Sequence, residues 1–107
     1  MTAVAPNASA TYAELWTSFA SLLRSYSAAH GLSHAALPTV EVTSECIVLR
    51  GQNRWLEITH HESEASWQRE DGSGASFHLR LNGHVAMNEG EEEMDAVAER
   101  LAREIMQ

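Results

Sequence analysis

Residues 54–88 read RWLEITHHESEASWQREDGSGASFHLRLNGHVAMN. Short runs rich in aromatic and β-branched residues alternate here with turn-forming clusters, first HES, then DGSG, then NG. Turn clusters at intervals of about 8–12 residues are typical of strands joined by hairpins. Two more β-branched runs come earlier, TVEV at 39–42 and CIVLR at 46–50. The sequence therefore predicts an antiparallel β-meander of about five to six strands.

An amphipathic segment precedes the meander. Thr11 and Glu14 fit a capping box, and Gly31 fits the left-handed residue that follows many helix ends. These two signals predict a helix at about 11–30. Its apolar stripe consists of Leu15, Phe19, Leu22, Tyr26 and Ala29, widened by Trp16 and Leu23.

A second amphipathic segment, EGEEEMDAVAERLAREIMQ, follows the meander. Residues 91–93 and Asp95 suit the first turn of a helix, where carboxylates interact favourably with the helix dipole. The apolar stripe is formed by Met94, Val97, Leu101 and Ile105. The sequence thus predicts an α+β fold: an N-terminal helix, the meander and a C-terminal helix, with both helices packed on one sheet face.

The chain of 107 residues has the size of one domain. We expect a flexible N-terminal segment at 1–10 and a single α+β domain at 11–107. The single cysteine, Cys46, excludes an internal disulfide and fits a reducing compartment. No apolar run approaches the ~20 residues of a membrane helix, and the first residues lack the features of an export signal. We therefore expect a cytoplasmic protein with no membrane partner.

The charge pattern argues against nucleic-acid binding. Seven basic residues stand against 15 acidic ones, giving a net charge of −8, and all the basic residues are arginines. They are scattered along the chain and form no basic stripe that could neutralise a phosphate backbone. Neither a nucleic acid nor an anionic membrane is therefore expected as a partner.

His60 and His61 are neighbours near the end of a predicted strand. Adjacent strand residues point to opposite faces, so the two imidazoles should diverge and cannot easily share one ion. The motif is not the helical H-E-x-x-H pattern, whose spacing aligns both histidines. We expect no metal and no cofactor, and the sequence contains neither a nucleophile elbow nor a phosphate-binding loop.

The turn sequences predict which strand residues face each other. A two-residue NG turn would place Leu79 opposite Ala86, and a two-residue ES turn would place Ile58 opposite Trp67. A three-residue GSG loop would place Trp67 opposite Leu79. In this register the residues facing the helices are Leu56, Ile58, Ala65, Trp67, Phe77, Leu79, Leu81 and Ala86. The open face, turned away from the helices, then carries Trp55, Glu57, Thr59, His61, Ser66, Gln68, His78, Arg80, Val85 and Met87.

The open face is the predicted functional surface. Glu57, Gln68 and His78 would form a cross-strand row on it, and these groups could hold a polar ligand or perform acid–base chemistry. Several large apolar residues would lie among them, which is typical of a surface that meets a partner. The candidate ligand- or partner-binding residues are Trp55, Glu57, Gln68, His78, Arg80 and Met87.

Two functions fit this surface. The first is a non-catalytic protein-interaction or small-ligand-binding module, assembled as a homodimer, with a second protein or a small polar ligand as a further partner. The alternative is a small enzyme that uses Glu57, His78 and Arg80 as an acid–base row. A flat open face would favour the module, whereas a pocket enclosing His78 would favour the enzyme.

Overall fold

The computed structural model describes residues 4–33, 39–51, 53–61, 63–87 and 90–106. These residues form α1 (Val4–Ser33), β1 (Thr39–Val42), β2 (Cys46–Arg50), β3 (Trp55–His61), β4 (Glu64–Arg69), β5 (Gly74–Leu79), β6 (His84–Met87), β7 (Gly90–Glu93) and α2 (Met94–Met106). The seven strands form one antiparallel sheet in chain order, and both helices pack on it. The predicted order of helix, antiparallel meander and helix is confirmed, with one strand more than expected.

The additional strand is β7. Residues 91–93 were expected in the first turn of the second helix, but Ala86 pairs with Glu91, and β7 continues the sheet beyond β6. The preference of carboxylates for a helix N-terminus amounts to only about 0.3–1 kcal/mol for each group. Backbone pairing with β6 satisfies several N–H and C=O groups at once and outweighs that preference. Helix α2 therefore begins at Met94, with Asp95 in its first turn.

Helix α1 is longer than predicted at both ends. It begins at Val4 rather than near Thr11, so the capping-box pattern lies inside the helix. Pro6 falls in the first turn, where its missing N–H would have had no helical partner. At the other end, α1 continues through Gly31 to Ser33, so the predicted left-handed helix end at Gly31 is wrong.

The buried stripe of α1 is rotated slightly from the predicted one. Leu15, Leu22 and Tyr26 are only partly buried, and Ala29 is exposed. The buried side chains among the described residues of the helix are Trp16, Phe19, Ala20, Leu23 and Ser27. The predicted stripe of α2 is confirmed, because Met94, Val97, Leu101 and Ile105 are all buried.

The core lies between the helices and the inner side of the sheet. From the strands it receives Ile47, Leu49, Leu56, Ile58, Ala65, Phe77, Leu79 and Val85. The rings of Phe19 and Phe77 meet edge to face, with centroids 6.3 Å apart, and link α1 to the middle of the sheet. No helix among the described residues is long and apolar enough to cross a membrane.

The β4–β5 register differs from the prediction. The chain turns through a three-residue loop after Arg69, closed by a 3.0 Å hydrogen bond from Gly72 N to Arg69 O. Gly72 has a φ of 86°, so this glycine takes the left-handed position. Trp67 consequently faces Ala75 instead of Leu79, and it is half-buried rather than enclosed in the core. The β4–β5 register is thus displaced by four residues, from Leu79 to Ala75. Because this number is even, the side chains of β5 keep their predicted faces.

The β5–β6 turn also has three residues instead of two. Arg80 N donates to His84 O at 2.9 Å, and Gly83 N donates to Arg80 O at 2.9 Å. Gly83 has a φ of 87°, the geometry of a type I turn followed by a left-handed bulge residue. Leu79 therefore pairs with Val85, one residue away from the predicted partner.

An odd displacement exchanges the two faces of a strand. Val85 is buried in the core and Met87 packs against it, although both were predicted on the open face. Ala86, predicted to face the helices, lies opposite His78 on the open face. Leu81, also predicted to face the helices, lies in the turn and is 55% exposed.

Candidate functional site

The open face spans all seven strands, and no described element covers it. The strand pairing places on it Thr39, Glu41, Cys46, Val48, Arg50, Trp55, Glu57, Thr59, His61, Glu64, Ser66, Gln68, Gly74, Ser76, His78, His84, Ala86, Glu91 and Glu93. Five of these residues are glutamates and one is an arginine. The face is therefore acidic, and most of its side chains are exposed.

Three of the predicted site residues lie together on this face. Glu57 pairs with Gln68 across β3 and β4, in the predicted register. Trp55 lies two residues before Glu57 on the same strand, half-buried, and its backbone N–H donates to Glu70 Oε1 at 3.0 Å. A hollow of about 240 Å³ lies beside them and is lined by Val48, Arg50, Trp55 and Glu57.

The predicted acid–base row is not formed. His78 lies opposite Glu64, and Gln68 lies opposite Gly74, so His78 does not continue the row that begins at Glu57. Arg80 lies in the turn after β5, where its Nε is 3.7 Å from Glu91 Oε2. The structure therefore does not bring Glu57, His78 and Arg80 together, because the β4–β5 loop lies earlier in the chain than predicted.

Met87 is a further site residue that lies away from its predicted position. It packs against the core on the helix side of the sheet, and its Sδ accepts a 3.8 Å hydrogen bond from Arg100 Nη2 of α2. The bulge at Gly83 places it there. The open face thus loses both Val85 and Met87, and its larger apolar residues among the described strands are Val48 and Trp55.

Cys46 and Glu57 are in contact on the open face. The Sγ of Cys46 donates to Glu57 Oε2 over 3.7 Å. Burial, and then the neighbouring carboxylate, raise the pKa of the Cys46 thiol above its ordinary value. The thiol is thus kept protonated, which is unfavourable for a nucleophile.

A second hollow of about 360 Å³ lies toward the other end of β3–β5. Its open-face lining consists of Thr59, His61, Glu64, Ser66, Ser76 and His78. His61 pairs with Glu64, which pairs with His78, so a carboxylate lies between two imidazoles in one cross-strand row. Glu64 is not among the residues predicted from the sequence, because the GSG segment predicts a β4–β5 loop at 72–74, whereas the loop is formed by residues 70–72. All of these open-face side chains are exposed, so water competes for every polar contact.

The two adjacent histidines diverge, as predicted. His61 is exposed on the open face, whereas His60 points toward α1 and stacks on Trp16. Across the part of the chain that is described, no group of three or more His, Cys, Asp or Glu residues is arranged to hold a metal ion.

A third cavity lies on the helix side of the sheet, between α1 and the β1–β2 turn. Its volume is about 400 Å³, and it is lined by Tyr12, Ala13, Trp16, Thr17, Val42, Thr43, Ser44 and His60. Trp16 Nε1 donates to the carbonyl oxygen of Thr43 at 3.0 Å, which fixes the indole ring as one wall. None of the candidate residues predicted from the sequence lies in this cavity.

Compared with protein-family models, with curated proteins and with solved structures, the chain matches none of them.

Proposed function

We propose that this chain is a non-catalytic interaction module that binds a cationic segment of another protein on its open face. One observation carries the proposal: a sheet face left uncovered by the described elements presents five glutamates and one arginine on its strands. Complementary charge attracts a cationic partner and orients it during association.

The individual carboxylates support this assignment. Among the described residues, no arginine lies within ion-pair distance of Glu57, Glu64 or Glu93. Glu41 and Glu91 do have arginine neighbours, at 3.9 Å and 3.7 Å. A partner with basic side chains would thus provide counter-charges that the chain itself does not supply at three of the five positions.

Trp55 gives the same face an apolar anchor. Tryptophan is enriched among the residues that dominate binding energy at protein interfaces. Its half-buried ring lines the hollow next to Val48 and Glu57. We therefore expect the partner segment to place an apolar side chain against Trp55 and a basic side chain against Glu57.

The enzyme alternative loses its geometric basis. Glu57 and His78 lie in different cross-strand rows, and Arg80 lies in the turn after β5. The hollow that contains His78 is open to solvent and contains neither Glu57 nor Arg80. A non-catalytic module is therefore the better interpretation.

The homodimer stays a prediction, with weaker support than the sequence offered. Val85 and Met87, two of the apolar residues that motivated it, pack on the helix side. A twofold contact between open faces would also bring glutamates against glutamates, and like charges brought together are unfavourable. Sedimentation equilibrium at micromolar concentration decides whether the pure chain is a monomer or a dimer.

The proposed function is tested with a short fluorescein-labelled peptide of alternating arginine and leucine, followed by fluorescence anisotropy. We expect saturable binding that weakens as salt is added, because exposed charges are screened. Glu64→Lys should raise Kd by about tenfold or more, equivalent to about 1.4 kcal/mol. Glu14→Lys is the matched control, since this exposed glutamate lies on α1 and its replacement changes the net charge equally.

Two results would contradict the proposed function. One is an equal loss of affinity in Glu64→Lys and Glu14→Lys, which would indicate attraction by net charge alone. The other is equally strong binding of a peptide of alternating glutamate and leucine, which would remove the role of the acidic face.

A further inference from the structure

The outer edge of β1 has backbone groups that are not paired with any other described residue. Among the described residues, β1 has a neighbouring strand on one side only, namely β2. Thr43 N donates to Cys46 O at 2.8 Å, and hydrogen-bonded pairs alternate along an antiparallel ladder. Glu41 therefore directs its N–H and C=O toward β2, whereas Val40 and Val42 direct theirs toward the free side.

The two edges of the sheet differ in how they are protected. At the other edge, β7 carries glutamates at 91–93, and such charges discourage a further strand. Strand β1 has the sequence TVEV, with one charged residue, Glu41. Val40 and Val42 are half-buried on the helix side, where they pack against the core. The edge at β1 is thus the one suited to accept another strand.

An apolar cavity begins where β1 ends. Val42, Thr43 and Ser44 form one side of the cavity of about 400 Å³, and Tyr12 and Trp16 of α1 line another. This volume is within the range of about 300–1,000 Å³ that is typical of small-ligand sites. The described residues that line it include no arginine, aspartate or glutamate, so its occupant should be uncharged and apolar. An aromatic side chain fits this description.

We propose that the β1 edge binds an extended peptide segment, antiparallel to β1, that inserts one aromatic side chain into this cavity. Strand addition of this kind gains affinity from main-chain hydrogen bonds and specificity from pockets for alternate side chains. The proposal uses a sheet edge and a cavity on the helix side, and it does not depend on the open face.

The pairing geometry specifies the segment. Its residues opposite Val40 and Val42 direct their N–H and C=O groups toward β1 and their side chains toward the helices. These residues should be apolar, with the aromatic one opposite Val42 or just beyond it. The residues between them point to the open side near Glu41, where a basic residue has a complementary charge.

The probe is a labelled peptide, acetyl-Thr-Val-Lys-Phe-Lys-Val-Thr-amide, measured by fluorescence anisotropy at about 0.5 M salt, where attraction between exposed charges is largely screened. Two N-methylated forms provide the main test. Methylation of the backbone nitrogens of Phe and of both Val residues removes the N–H groups that face β1 and should raise Kd by at least about tenfold. Methylation of the backbone nitrogens of the two Lys residues, whose N–H groups face away from β1, should change Kd little.

A second test uses the protein. Ala13→Phe places a ring at the cavity wall and should raise Kd for the Phe peptide to that of a peptide with Ala in its place. Ser25→Phe, at another exposed position of α1, is the control and should bind as wild type does. Equal weakening by the two methylated peptides, or no difference between the Phe and Ala peptides on wild-type protein, would overturn the proposal without any variant having to fold.

Discussion

The indole ring of Trp16 stacks on the imidazole ring of His60, with ring centroids 4.0 Å apart and ring planes inclined by 27°. His60 Nε2 lies 2.8 Å from the carbonyl oxygen of Ser44, which can only accept, so Nε2 carries the hydrogen. The contact joins α1 to the end of β3 and to the β1–β2 turn. The next residue, His61, is exposed on the opposite sheet face.

These adjacent histidines should differ sharply in their effect on stability. His60→Ala removes an aromatic contact and a hydrogen bond, for which we expect a loss of about 1–3 kcal/mol in the free energy of unfolding. His61→Ala, at an exposed position, should stay within about 0.5 kcal/mol of wild type. Urea titrations of both variants measure the difference, and equal losses would show that the stacked pair contributes nothing.

The corrected position of Trp67 changes what its removal should cost. Phe77 is 1% exposed and contacts Phe19 in the core, so Phe77→Ala should cost about 3–5 kcal/mol. Trp67 is half-buried, and the guanidinium of Arg69 lies 4.6 Å from its ring centroid. We expect Trp67→Ala to cost less than about 3 kcal/mol. A guanidinium chloride titration that ranks Trp67 above Phe77 would contradict this assignment.

Gly83 holds the turn that sets the position of β6. Its φ of 87° is unfavourable for any residue with a Cβ, although no atom lies within 4 Å of the place a Cβ would occupy. Gly83→Ala should therefore cost about 1–2 kcal/mol through backbone conformation alone. Gly90→Ala is the matched control, because its Cβ also meets nothing within 4 Å and its φ is not left-handed. Thermal unfolding should separate the two variants, and a neutral Gly83→Ala would be inconsistent with the bulged turn.

The Glu92–Arg100 pair should make stability depend on pH in acid. Arg100 Nη1 donates to Glu92 Oε1 at 2.7 Å and holds the pKa of Glu92 below its ordinary value of 4.5. Because the pKa of Glu92 is lower in the folded state than in the unfolded state, its ionised carboxylate stabilises the fold at pH values above the unfolded-state pKa. This contribution is lost as the pH falls through the folded-state pKa.

Glu92→Gln should thus lower stability at neutral pH by less than about 1 kcal/mol, because both side chains are partly exposed. The difference from wild type should disappear in acid. Glu93→Gln, on the opposite face and without an arginine neighbour among the described residues, should show no such difference. Denaturant titrations at pH values from neutral down through the pKa of Glu92 provide the measurement. Stabilities of the two variants that change in parallel with pH would refute the role of the pair.

The fold class could be predicted from the sequence because periodicity depends on many residues at once. The stripe of Met94, Val97, Leu101 and Ile105 predicts its helix whether or not any one boundary is correct. Likewise, the ES turn placed Ile58 opposite Trp67 correctly.

The candidate site was harder to predict because it depends on single-residue differences in turns. Asn82-Gly83 is compatible with a two-residue turn and also with the last part of a three-residue loop, since both place Gly83 at positive φ. The sequence does not distinguish them, yet the choice moves Met87 from one face to the other. The DGSG segment has a similar ambiguity, because either glycine could take the left-handed position, and Gly72 does so.

The strand order, in which each strand pairs with its neighbour along the chain, has a consequence for folding kinetics. Each ladder closes a short loop, and sheets built from such local contacts fold faster than those with distant pairings. Among the described residues, the hydrogen bonds that span the longest stretch of chain join the two helices: Tyr26 Oη donates to Asp95 Oδ1 at 2.8 Å across 69 residues. Closing this long loop is entropically costly, so we expect hairpins to form before the helices meet. Tyr26→Phe should then mainly accelerate unfolding and leave the refolding rate nearly unchanged.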